Sequence, residues 1–157
     1  MDSENFKILI VDDEPDILEI ISYTLKSDGY LVYTAENGVK AIELAKKVKP
    51  DLIILDVMMP EMDGIEACEI IRNDSEIGNS LIVFLSARGE DYSQIAGFNA
   101  GADDYITKPI KPKVLKSKIK SLLRRITKEE GDLIKLGSLI VDRSGYKVSL
   151  SGKDISL

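Results

Sequence analysis

No histidine occurs anywhere in the 157 residues, and there is a single cysteine, Cys68. Without histidine the chain cannot build a Ser-His-Asp triad, a histidine-ligated zinc site or a phosphohistidine. Any phosphate it carries covalently must sit on another side chain. A lone thiol cannot form a disulfide framework, which fits a reducing cytoplasm, and within its helical pattern Cys68 reads as core filler. No apolar run approaches the roughly 20 residues of a bilayer span, so no membrane partner is expected. The acidic start Met1-Asp2-Ser3-Glu4 lacks the basic-then-apolar layout of a signal peptide. Neither G-x-G-x-x-G nor G-x-x-x-x-G-K-[ST] occurs, so nucleotide phosphates have no glycine-rich cradle, and the acidic loop after the first strand argues against flavin phosphate there. Net charge is −6, from 27 acidic against 21 basic residues, which disfavours non-specific binding to a phosphate backbone.

What is present is a core and a rhythm. Apolar residues make up 44% of the chain, and strand-like runs alternate with helical patterns. The strands are expected at Lys7–Val11, Leu31–Ala35, Asp51–Asp56, Leu81–Ser86 and Asp104–Thr107. Most are Ile, Val and Leu without alternation, as parallel strands buried on both faces require. Pro15 suits a first helical turn ahead of Ile17, Leu18, Ile21 and Leu25. Asn37-Gly38 reads as a cap before Ala41, Leu44, Ala45 and Val48, and Asp63 as a cap before Ile65, Cys68 and Ile71. A short helix is expected around Ile95 and Phe98, closing near Gly101. A last one starts at Pro112 and carries Val114, Leu115, Ile119, Leu122, Leu123 and Ile126. Five such units joined by right-handed crossovers make an α/β, doubly wound, five-stranded parallel sheet. The pattern alone leaves the strand order open.

After Ile126 the character changes. Residues 127–133 are polar and charged and read as a linker. Ile134–Asp142, Tyr146–Leu150 and Lys153–Leu157 then look like short strands separated by Ser144-Gly145 and Ser151-Gly152. The expected organisation is therefore a domain over 1–126, a linker over 127–133 and a β-rich tail over 134–157, too short to bury a core by itself.

Four short signals follow apolar runs in a fixed order. They are Asp12-Asp13-Glu14, Asp56, Ser86 and Lys108-Pro109. In an open parallel sheet, residues at the carboxyl ends of the strands face one crevice. Three carboxylates, a hydroxyl and an ammonium are thus expected around one spot. Helix capping accounts for one acid before Pro15, but not for three in a row with Asp56 ending another central strand. Unit like charges ~4 Å apart repel by about 4 kcal/mol at a surface-like dielectric. Gathering Asp12, Asp13 and Asp56 is costly unless a hard cation neutralises them, and Mg2+ takes one or two carboxylates plus waters and phosphate oxygens. Asp56 then reads as a carboxylate nucleophile that accepts a phosphoryl group. Lys108 is held extended by Pro109, and a cis bond between them would turn its ammonium toward the crevice. Ser86 can bond a phosphoryl oxygen or cap a helix, and Tyr105 on its own reads as an ordinary strand aromatic. The basic run Lys111, Lys113, Lys116, Lys118, Lys120, Arg124 and Arg125 lacks interleaved aromatics and reads as a solvated helix face.

Together these residues resemble a response-regulator receiver domain. The matching motifs are Val11-Asp12-Asp13-Glu14, Asp56-Val57-Met58-Met59-Pro60 with Asp63-Gly64, Ser86-Ala87, and Gly101-Ala102-Asp103-Asp104-Tyr105-Ile106-Thr107-Lys108-Pro109. The last run, with Leu123-Arg124-Arg125, points to the OmpR/PhoB subfamily, whose receiver precedes a winged-helix DNA-binding domain; the tail resembles that domain's opening strands. The resemblance implies a flavodoxin-like strand order 2-1-3-4-5. It implies that Asp56 takes a phosphoryl group from a sensor histidine kinase, with Mg2+ held by Asp12, Asp13, Asp56 and the Met58 backbone carbonyl. Lys108 and Ser86 would contact the phosphoryl oxygens, and Ser86 with Tyr105 would form the switch pair. No turnover is implied beyond the chain's own phosphorylation and dephosphorylation.

The resemblance also implies a homodimer on phosphorylation, through a face where Asp104 with Lys118 and Asp103 with Arg125 supply two of the usual three ion pairs. Gln94 and Val114 stand at the third pair's positions, Lys118 replaces an arginine, and Ile110 replaces a phenylalanine. A weaker or altered dimer is therefore expected. The chain stops at Leu157 before any recognition helix, so promoter DNA is expected as a partner only of a full-length form. Two rival readings differ in class. A Mg2+-dependent phosphatase would want a second acid two residues after Asp56, where Met58 stands. A phosphate-independent binding module would tolerate erosion of the acids or the lysine, and none is eroded.

Overall fold

Strands of unbroken Ile, Leu and Val need cover on both faces, and the computed structural model places them accordingly. It describes residues 6–59, 62–87 and 100–139, with side chains of the last helix as far as Ile126. In chain order the elements are β1 (Lys7–Val11), α1 (Pro15–Ser27), β2 (Leu31–Ala35), α2 (Gly38–Val48), β3 (Leu52–Asp56), α3 (Gly64–Arg72), β4 (Leu81–Ser86), β5 (Asp104–Thr107) and α4 (Pro112–Leu139). All strands pair in parallel, in the order β2-β1-β3-β4-β5. The central strand β3 is buried at every residue, whereas the edge strands β2 and β5 keep exposed positions. The strand order that the resemblance implied is the one found.

The local signals work as expected at the helix starts. Asn37 and Asp63 each accept a hydrogen bond at 2.8 Å, from the N–H of Lys40 and of Glu66, which satisfies donors that a helix leaves unpaired. Pro15 occupies the first turn of α1. Asp51, expected as the first residue of β3, stands just before it. Its carboxylate accepts from Lys7 N–H at 2.8 Å, closing the foot of the β1–β3 pair. The segment around Ile95 and Phe98, together with Gln94 and Pro60, lies outside the described residues.

The last helix runs further than expected. The backbone is helical from Pro112 to Leu139, across residues 127–133 read as a linker and into the stretch from Ile134 read as a strand. Thr127-Lys128-Glu129-Glu130 is polar, but Lys and Glu are strong helix formers, so polarity there does not call for a break in the helix. The chain divides into two units after Ile119, within this helix. Residues 140–157, with the expected strands Tyr146–Leu150 and Lys153–Leu157, lie outside the described residues.

Gly64 opens α3 directly beneath the end of β3. Its N–H donates to the Val57 carbonyl at 2.9 Å, and a Cβ added there would stand 2.2 Å from the Asp56 carbonyl oxygen. Backbone, unlike a flexible side chain, cannot swing aside. Gly64→Ala is therefore expected to lower stability by about 1–3 kcal/mol in urea denaturation. A midpoint equal to that of the parent chain would contradict this packing.

Candidate functional site

The β1–β3 register ends with Val11 opposite Leu55, so the next residues along the two strands, Asp12 and Asp56, come out side by side. Parallel strands lie about 4.8 Å apart. Asp12 is fully buried and Asp56 is 3% exposed, while Asp13, one residue on, is exposed. The three carboxylates offer oxygens within 4.8 Å of one another. On the next pair of strands, Ser86 is buried and lies opposite Thr107, and its carbonyl accepts from the Lys108 N–H at 2.7 Å. The four expected signals thus converge at the carboxyl ends of β1, β3, β4 and β5.

Lys108, joined to Pro109 by a cis bond, completes the group. Its Nζ lies 3.3 Å from Asp12 Oδ2, 3.5 Å from Asp56 Oδ1 and 3.9 Å from Glu14 Oε2. Burial pulls the ammonium's pKa down, but the charges of Asp56 and Asp12 outweigh it and hold the pKa above its usual value. One ammonium does not settle two buried carboxylates. Burial, and then the charge of Asp12, push Asp56 up to about 7 against the opposing pull of Lys108 and the Met58 N–H. Asp12 is raised as well, chiefly by burial.

The two oxygens of Asp12 divide the work. Oδ1 accepts from the Glu14 N–H at 2.9 Å and shapes the turn into α1. Oδ2 is buried and has no hydrogen-bond partner, and the charge that faces it is the Lys108 ammonium at 3.3 Å. A buried acceptor left unmatched costs about 1–3 kcal/mol. Hard oxygen donors, one of them unmatched and another held near neutrality, suit a divalent cation.

Other expected residues fall on the neighbouring face. Tyr105 is half-buried against the core, with Lys118 Nζ 5.8 Å from its ring centre. Lys118 pairs with Asp104 at 3.2 Å within the same chain. Val114 is 45% exposed. Asp103, expected at the dimer face with Arg125, accepts at Oδ2 from Arg72 Nη2 at 2.8 Å and from the Ile82 N–H at 2.8 Å. Arg72 escaped the sequence reading. A basic residue in the last turn of a helix is ordinary, since it suits the dipole, and the only hint was the nearby pair of glycines at 78 and 101.

The acid pair sets a pH signature for the metal-free chain. Asp56 titrates near 3.8 when unfolded and near 7 when folded, so between those values the folded state holds a proton that the unfolded chain has released. Stability present below about pH 4 is therefore lost as pH rises to about 7, by on the order of 2–4 kcal/mol. Asp56→Asn is expected to flatten this loss and to be the more stable protein at pH 8, in urea titrations with chelator present. A parent chain whose stability rises over that window would contradict it.

Comparison with known proteins agrees with this geometry. The sequence profile of the response regulator receiver domain matches residues 8–120. The DNA-binding response regulator MtrA of Mycolicibacterium smegmatis is 35% identical over 157 residues, covering 100% of this chain and 68% of that protein. The alkaline phosphatase synthesis transcriptional regulatory protein PhoP of Bacillus subtilis is 44% identical over 121 residues, covering 77% of this chain and 50% of that protein. The chain thus spans between half and about two-thirds of the length of these relatives. A two-component response regulator from Clostridium difficile has a matching structure, with a TM-score of 0.73, 34% identity and coverage of 78% of this chain and 98% of that one. Vibrio cholerae chemotaxis protein CheY4 matches with a TM-score of 0.71 and 34% identity over 74% of this chain and 97% of its own. On this breadth of match the chain belongs to the response-regulator receiver domain family, with its relatives on the OmpR/PhoB branch.

Proposed function

We propose that the chain is the phosphorylatable input half of a two-component transcription regulator, with Asp56 as the phosphoacceptor. The observation that carries this reading is the placement of Lys108 Nζ within 3.5 Å of carboxylates from two strands, beside a third acid. An Asp56 oxygen attacks phosphorus, forming the acyl-phosphate bond while the donor's N–P bond breaks and its electron pair leaves with the imidazole nitrogen of a sensor histidine kinase. Asp12, Asp13, Asp56 and the Met58 carbonyl would hold Mg2+, which would supply charge to screen the incoming phosphoryl group and to favour the ionised form of Asp56. Lys108 is pre-placed to meet the transferred oxygens, and Ser86 supplies a hydroxyl to another.

The acyl phosphate brings about −1.5 to −2 of charge to a crevice lined by Ser86 and Lys108. Ser86 and Tyr105 form the switch pair that reads it, and the face carrying Asp103, Asp104, Lys118 and Arg125 dimerises, with reduced strength because Gln94 and Val114 lack charge. Relatives named as a DNA-binding response regulator and as a transcriptional regulatory protein support control of transcription, exercised in a full-length form by a DNA-binding domain. A cytoplasmic setting fits, and among the described residues no helix is long and apolar enough to cross a membrane.

Two results are expected. Incubation with a small acyl-phosphate donor adds one phosphoryl mass that requires Mg2+ and vanishes in Asp56→Asn; no adduct, with a beryllofluoride mimic also failing to bind, would overturn the reading. Lys108→Ala slows this transfer by about tenfold or more yet tightens Mg2+ binding, because the ammonium and the metal compete for the same two carboxylates. Weaker Mg2+ binding in that variant would contradict the electrostatic account.

A further inference from the structure

Among the described residues, the clustered acids Asp12, Asp13 and Asp56 stand at the ends of β1 and β3, whereas the one ammonium against them, that of Lys108, follows β5. That strand is four residues long and, among the described residues, lies at the sheet edge with β4 as its one partner. A one-residue slip in such a pairing would exchange the faces of Tyr105 and Ile106 and carry Lys108 away from the acids. Something must hold the register, and the four ladder pairs from Val83–Asp104 to Ser86–Thr107 are few.

Asp103 extends that ladder by one step. Its N–H donates to the Ile82 carbonyl at 2.8 Å, and its Oδ2 accepts from the Ile82 N–H at 2.8 Å. The same oxygen is gripped by Arg72 Nη2. The remaining arms of Arg72 reach the segments leading into both strands: Nη1 donates to the Gly78 carbonyl at 2.8 Å and to the Ser80 carbonyl, and Nε donates to the Gly101 carbonyl at 2.8 Å. The approach is close enough to need a glycine. Gly101 has φ +111°, and a Cβ there would meet Arg72 Cγ at 2.9 Å. One planar guanidinium at the end of α3 thus ties the starts of β4 and β5 together, with a fork geometry that lysine cannot copy.

We propose that Arg72 and Asp103 are positioning residues for the phosphoryl site, fixing the register of β5 and thereby the place of Lys108, about 16 Å further along the chain in extended form. This rests on the phosphoacceptor reading above. The consequence is selective: loosening the clamp displaces the ammonium but not the acids, which belong to other strands.

The test compares Arg72→Lys and Asp103→Asn with the parent chain at a temperature where circular dichroism shows each folded. Two quantities are read: the phosphorylation rate with acetyl phosphate at saturating Mg2+, by intact mass, and the Mg2+ dissociation constant, by calorimetry. The expected result is a rate lowered about tenfold with a dissociation constant within about twofold of the parent. An unchanged rate in a folded variant overturns the proposal. So does a parallel loss of rate and Mg2+ affinity, which is the mark of general structural damage. Should Arg72→Lys not fold, Asp103→Asn decides, because asparagine keeps an acceptor for the Ile82 N–H while losing the charge that Arg72 grips. A parent chain that takes no phosphoryl group overturns the phosphoacceptor reading, and the positioning role with it.

Discussion

The structure turns on two buried carboxylates set side by side by strand register. Once β1 pairs with β3 so that Val11 faces Leu55, Asp12 and Asp56 have nowhere else to go. Two such charges about 4 Å apart repel by several kcal/mol even at a generous effective dielectric. The fold does not relieve this within the pair. It supplies one ammonium against two carboxylates, leaves Asp12 Oδ2 unmatched and lifts Asp56 to about 7. Strain of this kind at one place in an otherwise consistent core is what a binding site costs.

The scaffold that imposes it is stiff where the acids stand and thinner where the lysine stands. β3 is buried at all five residues and flanked on both sides by strands. The crossover from β3 to α3 packs so tightly that Gly64 admits no side chain. β5, by contrast, is a short edge strand whose position depends on side-chain bonds before it begins. The acids belong to the core, while Tyr105 and Lys108 belong to the edge.

Much of this was legible in the sequence, for identifiable reasons. Doubly buried strands announce themselves by unbroken Ile, Val and Leu, as in β1, β3 and β4; four of the five strands were bounded as found, and β3 begins at Leu52, one residue after the expected Asp51. Asn37 and Asp63 acted as the caps they resemble, since capping is a local bond within three residues. Convergence of Asp12, Asp56, Ser86 and Lys108 followed from the geometry of any open parallel sheet. Arg72 was invisible, because its partners are mostly carbonyls, which every residue has, brought together only by the folded loops. The helix from Ile134 to Leu139, where a strand was expected, was not legible because the polar run before it is compatible with either a helix or its end.

The central claim, that the Asp12–Asp56 pair is held unsatisfied until a cation arrives, is tested most directly by carboxyl carbon NMR titration of Asp56 with and without Mg2+. The account predicts a midpoint near 7 in chelator, far above the ordinary carboxylate range, and a fall well below it when Mg2+ is added. A midpoint near 4 in chelator, or one that Mg2+ does not move, would contradict it.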